Sequence, residues 1–345
     1  MSSVLDVIEN KGLDLKKTDY YAAILGASPS KGAKSPNLWN AAFKQIGLSG
    51  TMHPMDVASE KLEEVVKRLC EDERFIGGAV TMPYKLNIIP YLDSLEPEAE
   101  KIGAVNCLYR EGKRLIGANT DGAGALWSLQ QEMTEHLDSK TVLLLGTGGA
   151  GFAVAAYMAT AVGKKGRLIL SNRSHDSLNQ VAGRLNDICH IENILEWPVS
   201  LDHFDGVDVL INCTSIGFET LKRDEAGAFT LKHYAPLGPV DDTVRVPYGS
   251  DAEKQYLKAS TNLISKNVAR TIDILAAMED PFVFDIIYQP EETILLRLAK
   301  QIGYRTLNGA PMNLEQAVIA FDKATVMSRI RDGDIDEVRR IMSEV

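Results

Sequence analysis

The sequence has few of the features that mark membrane, secreted or metal-binding proteins. Its four cysteines are widely spaced and form neither a C-x-x-C pair nor a cluster with histidine. Reduced thiols are therefore expected, and no metal site is expected. No apolar run approaches the length of a membrane span, and the N-terminal residues lack the apolar core of a signal peptide. We expect a cytoplasmic protein with no membrane partner.

An excess of positive charge is also missing. The formal net charge is −10 and the pI is about 5.2, which argues against nucleic acid as a partner. The composition, 45% hydrophobic and 24% charged, is typical of an ordinary globular protein. A chain of 345 residues has room for two domains.

One stretch carries a recognisable binding pattern. An apolar run of strand length, Val142–Leu145, leads into glycines at G-x-G-x-x-G spacing: Gly146, Gly148 and Gly151. An alanine-rich helical stretch and a second apolar run follow. Such glycines allow a tight turn, close approach of the backbone to a pyrophosphate, and packing of helix on strand. A tight turn without a ligand is the alternative, but the order strand, glycines, helix and strand favours a dinucleotide site.

The rest of the chain alternates between strand and helix patterns, which predicts an α/β fold. Residues 1–18 look helical and peripheral, and Pro36 is expected to begin a helix that Ser35 could cap. A long helix is predicted from apolar residues at helical spacing, namely Leu257, Ile264, Val268, Ile272 and Leu275.

Three polar residues are candidates for chemistry. Lys85 follows a strand end and a proline turn, Asp121 lies in a small polar loop before a helix, and Asn106 interrupts an apolar strand. Each also has an ordinary explanation. The lysine could be a solvated residue at a helix start, the aspartate a helix cap, and the asparagine a buried amide with structural partners.

Taken together, the polar segments resemble those of the shikimate dehydrogenases, in the same order, over about residues 20–218 and 282–325. The segments that carry the resemblance are Lys34-Ser35-Pro36, Val80-Thr81-Met82-Pro83-Tyr84-Lys85, Ile102-Gly103-Ala104-Val105-Asn106, Asn119-Thr120-Asp121-Gly122, Leu145-Gly146-Thr147-Gly148-Gly149-Ala150, Asn172-Arg173-Ser174, Ile211-Asn212-Cys213-Thr214-Ser215-Ile216-Gly217-Phe218, Phe284-Asp285-Ile286-Ile287-Tyr288 and Glu315-Gln316-Ala317.

This resemblance implies two domains. Residues 1–120 with 309–345 would form an N-terminal α/β substrate domain, to which the C-terminal helices return. Residues 121–308 would form a Rossmann-like NAD(P)-binding domain. Within it, residues 219–281 would be an insertion that serves as a lid, an oligomer contact or surface elaboration. The protein would be a monomer or a homodimer.

The resemblance also implies the reaction and the residues that perform it. The enzyme would use NADP to interconvert a ring hydroxyl and a ketone, as in reduction of 3-dehydroshikimate to shikimate, with Lys85 and Asp121 as the catalytic pair. The substrate would be bound by Ser35, Thr81, Asn106, Tyr288 and Gln316. The cofactor would be bound by Gly146, Gly148, Gly149, Ala150, Gly151, Asn172, Arg173, Ser174, Thr214 and Ser215.

The preference for NAD or NADP depends on the residues at the end of the second apolar run, the strand that follows the glycine turn and its helix. An enzyme specific for NAD usually has an acid there, but this chain has none before Asp176. Arg173 suits a 2′-phosphate, which favours NADP. A second basic residue, which many family members have near the position of Ser177, is missing, so NAD remains possible.

Three departures from the family pattern leave the substrate open. They are Ala33 in place of a serine, Ala79 in place of an asparagine, and Pro311 in the C-terminal turn. Quinate, an aminoshikimate or another cyclitol-like compound are alternative substrates. A nucleotide-sensing homologue without activity is an alternative of another class, and retention of both Lys85 and Asp121 argues against it.

Overall fold

The computed structural model describes residues 3–194, 199–218, 221–223, 229–231, 234–238, 249 and 251–345. The chain divides into two compact units, one of Met1–Gly124 with Asn313–Val345 and the other of Ala125–Met312. Both units are α/β, which confirms the predicted fold class. Several residues of the expected 219–281 insertion lie outside the described residues.

The first unit is built on a six-stranded mixed sheet with the order β2-β1-β3-β5-β6-β4. Its elements are β1 (Tyr20–Gly26), α1 (Ser35–Ile46), β2 (Gly50–Asp56), α2 (Leu62–Glu71), β3 (Phe75–Val80), α3 (Tyr84–Asn87), β4 (Ser94–Leu95), α4 (Pro97–Ile102), β5 (Cys107–Glu111) and β6 (Arg114–Ala118). Strand β1 pairs in parallel with β2 and β3, whereas β5 is antiparallel to β3 and β6.

Two sequence predictions in this unit are wrong. The only helical turn described in the predicted N-terminal helix is Val4–Asp6, and several of its apolar residues, including Ile8 and Leu15, are buried in the core. The Asn10 side chain holds this segment to β2 through the Pro54 carbonyl and the Asp56 amide. Ser35 does not cap α1, because it is the first residue of that helix and the N-cap position falls on Lys34.

The second unit contains a sheet in which every described pairing is parallel. The remaining elements of the chain are α5 (Asp121–Met133), β7 (Thr141–Leu145), α6 (Gly149–Val162), β8 (Arg167–Ser171), α7 (His175–Leu185), β9 (His190–Ile194), β10 (Val209–Asn212), β11 (Leu221–Arg223), β12 (Phe229–Leu231), α8 (Ala252–Ala277), β13 (Phe282–Asp285), α9 (Ile294–Ile302), β14 (Thr306–Leu307), α10 (Ala310–Met327) and α11 (Ile335–Ser343).

The strand order of this parallel sheet fixes where a nucleotide would bind. The order is β14-β13-β10-β7-β8-β9, so the chain runs outward from β7 in one direction and then returns to continue on its other side. This is the doubly wound order, whose switch point lies between β7 and β10. Ligands of such sheets bind beyond the carboxyl ends of the strands at that point.

Helix α10 is anchored in the first unit by aromatic packing. The Phe321 ring lies 5.2 Å from Trp39 and 5.0 Å from Phe43, centroid to centroid, in edge-on arrangements. All three rings are buried. Gln316 lies on the same helix.

The long helix predicted near the insertion is present as α8, but its buried face differs from the apolar stripe in the sequence. Leu257 and Ile272 are exposed, whereas Asn267 is buried. The Asn267 amide bonds to the backbone of Ala235 and to the Gly238 carbonyl, so a buried polar side chain takes the place of an apolar contact. No helix in the described parts of the chain is both long and apolar enough to cross a membrane.

Candidate active site

Lys85 and Asp121 meet in the first unit. The Lys85 Nζ atom donates a hydrogen bond of 2.6 Å to Asp121 Oδ2, and the two side chains are 23% and 11% exposed. The other carboxylate oxygen, Oδ1, accepts from Asn106 Nδ2 at 2.8 Å. Asp121 is the first residue of α5, but its carboxylate holds two side chains instead of acting as a helix cap. An ion pair that is partly open to solvent can meet a ligand.

Asn106 organises the polar groups around this pair. Its side-chain nitrogen, Nδ2, also donates to Thr120 Oγ1 at 3.0 Å and to Gln316 Oε1 at 3.4 Å. Its side-chain oxygen, Oδ1, accepts from the backbone amide of Thr120 at 2.7 Å. Thr120 Oγ1 is 3.0 Å from the Gln316 carbonyl. Thr120 is fully buried and links both residues. Sequence reasoning did not select it, although its position directly before Asp121 was a usable signal.

The other predicted substrate residues lie apart from this network or in the second unit. Thr81 follows β3 and Ser35 begins α1, and both are partly buried. Within the described residues, no hydrogen bond joins either hydroxyl to the Lys85 network. Tyr288 belongs to the second unit. Tyr84 is buried and donates to the Val57 carbonyl, in agreement with the expectation of a packing aromatic.

The glycine turn after β7 shows why each glycine is needed. Gly146 has φ +92°, and a Cβ there would lie 2.8 Å from Thr214 Cγ2. A Cβ on Gly151 would lie 1.9 Å from the Gly146 carbonyl oxygen. By contrast, among the described atoms nothing lies within 4 Å of a Cβ placed on Gly148 or Gly149. The outer glycines therefore close the turn, and the middle ones leave space beside the backbone.

The start of α6 is suited to an anion. Its N-cap is Gly148, which has no side chain to bond the first amides of this 14-residue helix. Free amides at a helix N-terminus carry partial positive charge and bind phosphates. This end of the helix lies next to the switch point of the sheet, so two independent features favour the same phosphate position.

Three residues predicted to bind the cofactor, Asn172, Arg173 and Ser174, directly follow β8. Asn172 is partly buried and Arg173 is exposed. Ser174 is the N-cap of α7, where its hydroxyl accepts from the Ser177 amide. Ser177 is the position that lacks the second basic residue, and its hydroxyl bonds to the side chain and carbonyl of Thr147 at 2.8 and 2.9 Å. It therefore ties α7 to the glycine turn.

The loop after β10 lies against the glycine turn. The Cys213 amide donates to the Leu145 carbonyl at 2.7 Å, and Thr214 contacts the position of Gly146. Thr214 is held by Asn212, whose Oδ1 accepts from the Thr214 amide and hydroxyl at 3.0 and 2.7 Å. Thr214 and Ser215 are thus on a loop beside the proposed phosphate position.

The cysteines do not offer an alternative chemistry. All four are free, and burial raises the pKa of the Cys107 thiol to about 12 and that of Cys189 to about 11. Neutral, buried thiols are poor nucleophiles. Among the residues that the structure places, no three or more His, Cys, Asp or Glu side chains are grouped as metal ligands.

Comparison with known proteins identifies the family. The family model described as "Shikimate dehydrogenase substrate binding domain" matches residues 25–108. The NADP(+) shikimate dehydrogenase of Carboxydothermus hydrogenoformans is 33% identical over 87% of this chain and 90% of that protein. The corresponding enzyme of Methanocaldococcus jannaschii is 32% identical over 85% of this chain and 87% of that protein. This chain belongs to the shikimate dehydrogenase family.

Solved structures agree. A shikimate dehydrogenase in complex with NADP+ has a TM-score of 0.66 at 27% identity, covering 94% of this chain and 95% of that one. The Thermus thermophilus enzyme, in complex with NADP(H) and shikimate, has a TM-score of 0.65 at 25% identity, covering 94% of this chain and 99% of that one. The family resemblance seen in the sequence is confirmed.

Proposed function

We propose that this chain is an NADP-dependent dehydrogenase that interconverts a ring hydroxyl and a ketone on a small cyclic polyhydroxy acid. Shikimate and 3-dehydroshikimate are the reference pair. The observation that carries the proposal is the Lys85–Asp121 ion pair, held by Asn106 in a network that includes Gln316. The substrate oxygen changes between hydroxyl and carbonyl, so it must gain or lose a proton. An ammonium group within reach of solvent can exchange that proton.

The second unit fits the cofactor. The space beside Gly148 and Gly149, together with the uncapped start of α6, suits a pyrophosphate. Arg173 would face the 2′-phosphate, since a guanidinium pairs well with phosphate oxygens. We therefore take the first unit as the substrate domain and the second as the NADP domain, with Thr214 and Ser215 near the nicotinamide and Asn172 and Ser174 near the ribose.

The chemistry divides between cofactor and protein. NADP, when bound, supplies or accepts the hydride. Lys85 holds the substrate oxygen and gives it a proton when the ketone is reduced, or takes the proton when the alcohol is oxidised. Asp121 orients the ammonium group through its 2.6 Å bond, and Asn106 fixes the carboxylate from its other oxygen. Gln316, Thr81, Ser35 and Tyr288 would bind the ring hydroxyls and the carboxylate.

A second substrate is supported by Ala33 and Ala79. Ala33 lies in the loop before α1 and Ala79 is buried in β3, and neither side chain can donate a hydrogen bond. A site that lacks donors for a polar ligand loses affinity for it and discriminates less against analogues. A related ring acid or cyclitol such as quinate or an aminoshikimate is therefore the second candidate.

A substrate panel tests the function. NADPH-linked absorbance should change with at least one member of a set containing shikimate, quinate and an aminoshikimate. Ala33→Ser should lower KM for shikimate by about tenfold, which corresponds to one added hydrogen bond of roughly 1.5 kcal/mol. Ala27→Ser, on the same loop, serves as the matched control and should leave KM unchanged. Absence of turnover with every ring compound would refute the proposed activity.

The four free thiols support a reducing compartment, and we propose a cytoplasmic enzyme. It would act as a monomer or a homodimer, which the mass in solution distinguishes.

A further inference from the structure

The second unit, the proposed NADP domain, also buries a carboxylate, Asp285. Asp285 ends β13 and is fully buried. Its Oδ1 accepts from Asn212 Nδ2 at 3.0 Å and from the Ile287 amide at 3.1 Å, and its Oδ2 accepts from Thr293 Oγ1 at 2.8 Å. Three donors, one from the end of β10 and two from the chain that follows Asp285, therefore converge on one side chain.

The Asn212 contact reaches the loop beside the glycine turn. The same amide nitrogen that donates to Asp285 also donates to the Ile216 carbonyl at 3.0 Å. Its oxygen accepts from Thr214, and Thr214 Oγ1 accepts in turn from the Ile216 amide at 3.1 Å. Asp285 thus orients the Asn212 amide, and Asn212 sets the conformation of residues 213–218.

The Ile287 contact reaches the segment that carries Tyr288. The bond from the Ile287 amide closes a turn directly after Asp285, one residue before the tyrosine. Gly309 packs on the other side of this turn. Its amide donates to the Ile287 carbonyl at 3.0 Å, and a Cβ there would lie 1.8 Å from the Ile286 carbonyl oxygen. The turn is therefore held from both sides.

None of the partners of Asp285 in the described residues is a cation. Burial raises the pKa of its carboxyl group to about 7, and its three hydrogen bonds oppose that rise. The titratable group that faces it is Cys213, whose thiol pKa is raised well above its usual value by burial and by the Asp285 charge. A carboxyl group without a countercharge in this position organises the donors around it, at the cost of its own desolvation.

We propose that Asp285 is a positioning residue that sets two segments at once: the 213–218 loop, through Asn212, and the turn before Tyr288, through the Ile287 amide. The inference rests on the proposed function, because those segments carry the residues assigned to the nicotinamide end of the cofactor and to the substrate. Asp285 itself touches neither ligand. It acts only through the groups that it orients.

The test compares Asp285→Ala with Asp285→Asn and with Val283→Ala. Val283 is buried on the same strand, and its truncation costs core packing without touching either segment. Asp285→Ala should weaken NADPH binding and lower kcat by about 10- to 100-fold beyond the control, since small misplacements of positioning groups cost this much. Asparagine keeps an acceptor for Asn212 and Ile287, and its amide can donate to Thr293, so Asp285→Asn should stay within about threefold of wild type.

One further measurement separates positioning from loss of folding. Adenosine 2′,5′-bisphosphate reports only the adenosine end of the site, and its dissociation constant should not change in Asp285→Ala. Equal weakening of this probe and of NADPH, or equal kcat values in Asp285→Ala and Val283→Ala, would overturn the inference.

Asn212→Ala supplies an independent variant if Asp285→Ala does not fold. It releases the 213–218 loop but leaves the Ile287 and Thr293 bonds in place. NADPH binding should therefore weaken while KM for the ring acid stays unchanged, and a reversed pattern would contradict the inference. If wild-type protein turns over no ring acid, the proposed function fails, whereas the NADPH dissociation constants of Asp285→Ala and Val283→Ala still decide the role of Asp285.

Discussion

Each unit buries a carboxylate at a strand or helix boundary, but the two carboxylates have different kinds of hydrogen-bond partner. Asp121 faces Lys85 at 2.6 Å and remains partly exposed. Asp285 is fully buried and, within the described chain, is bonded by an amide side chain, a hydroxyl and a backbone amide. Asp121 is paired with a cation at a position that a ligand can reach. Asp285 is bonded to neutral donors and is shielded from any ligand.

The difference follows from what each carboxylate has to do. A charge pair that is open to solvent can exchange its water for a substrate oxygen, which suits proton transfer. A carboxyl group surrounded by neutral donors cannot reach a ligand, but it specifies the geometry of every group that bonds to it. Asp121 is thus placed to serve chemistry through its charge, and Asp285 is placed to set the shape of the groups around it.

Removing the cation of the Lys85–Asp121 pair is expected to have the largest effect. Lys85→Met takes away the group that holds the proton at the substrate oxygen, so kcat should fall by roughly 100- to 10,000-fold. Steady-state rates with NADPH measure this, and fluorescence titration should show NADPH binding unchanged.

Lys61→Met is the matched control for that variant. It also removes a lysine from an ion pair in the first unit, but the partner is Glu64 and both side chains are exposed. Its kcat should equal that of wild type. A Lys85→Met enzyme as active as Lys61→Met would remove Lys85 from the mechanism and, with it, the contrast between the two carboxylates.

Neutralising the Asp285 carboxylate is expected to change stability with a defined dependence on pH. The pKa of Asp285 is raised from 3.8 to about 7, so the folded state favours the protonated form. Below pH about 4 the carboxyl group is protonated in both states, and the wild-type protein pays no cost for burying a charge. Its free energy of unfolding falls as the pH rises from about 4 to 7 and stays at the lower value above pH 7. Asp285→Asn has no such loss. Its free energy of unfolding relative to wild type should therefore be higher at pH 8 than at pH 4, by roughly 4 kcal/mol as an upper bound.

Unfolding in denaturant between pH 4 and 8 measures that dependence. The two proteins share every other titratable group, so the difference between their curves isolates Asp285. Cys213 adds nothing in this range, because its thiol pKa lies well above it. Parallel stability curves for wild type and Asp285→Asn would mean that Asp285 is not desolvated as the structure indicates.

These variants also show how far sequence reasoning extends. The glycine spacing predicts the turn after β7, because the positive φ of Gly146 and the close approach of Gly151 to the Gly146 carbonyl are local properties of the chain. The family pattern brings Lys85, Asp121 and Asn106 to attention as separate segments. Its segments include Thr120, Asn212 and Asp285, but they do not show that Thr120 joins Asn106 to Gln316, or that Asn212, Ile287 and Thr293 converge on Asp285. The contacts of Asn106 with Gln316 and of Asn212 with Asp285 join residues far apart in sequence, and the donors that lie nearer carry no spacing signal.

The smallest expected effect concerns Arg173, the exposed charge proposed to bind the 2′-phosphate. Arg173→Ala should weaken NADPH binding by about 10- to 100-fold, the loss of roughly 1.5–3 kcal/mol for hydrogen bonds to a charged group. NADH, which lacks the 2′-phosphate, should bind with nearly unchanged affinity. Arg184→Ala is the control, because Arg184 lies in the last turn of α7, the helix that begins two residues after Arg173, where it stacks on Phe152. If Arg173→Ala weakens binding of NADH and NADPH equally, the 2′-phosphate is bound elsewhere. The charge of Arg173 would then select between the two cofactors no better than the buried carboxyl group of Asp285 does.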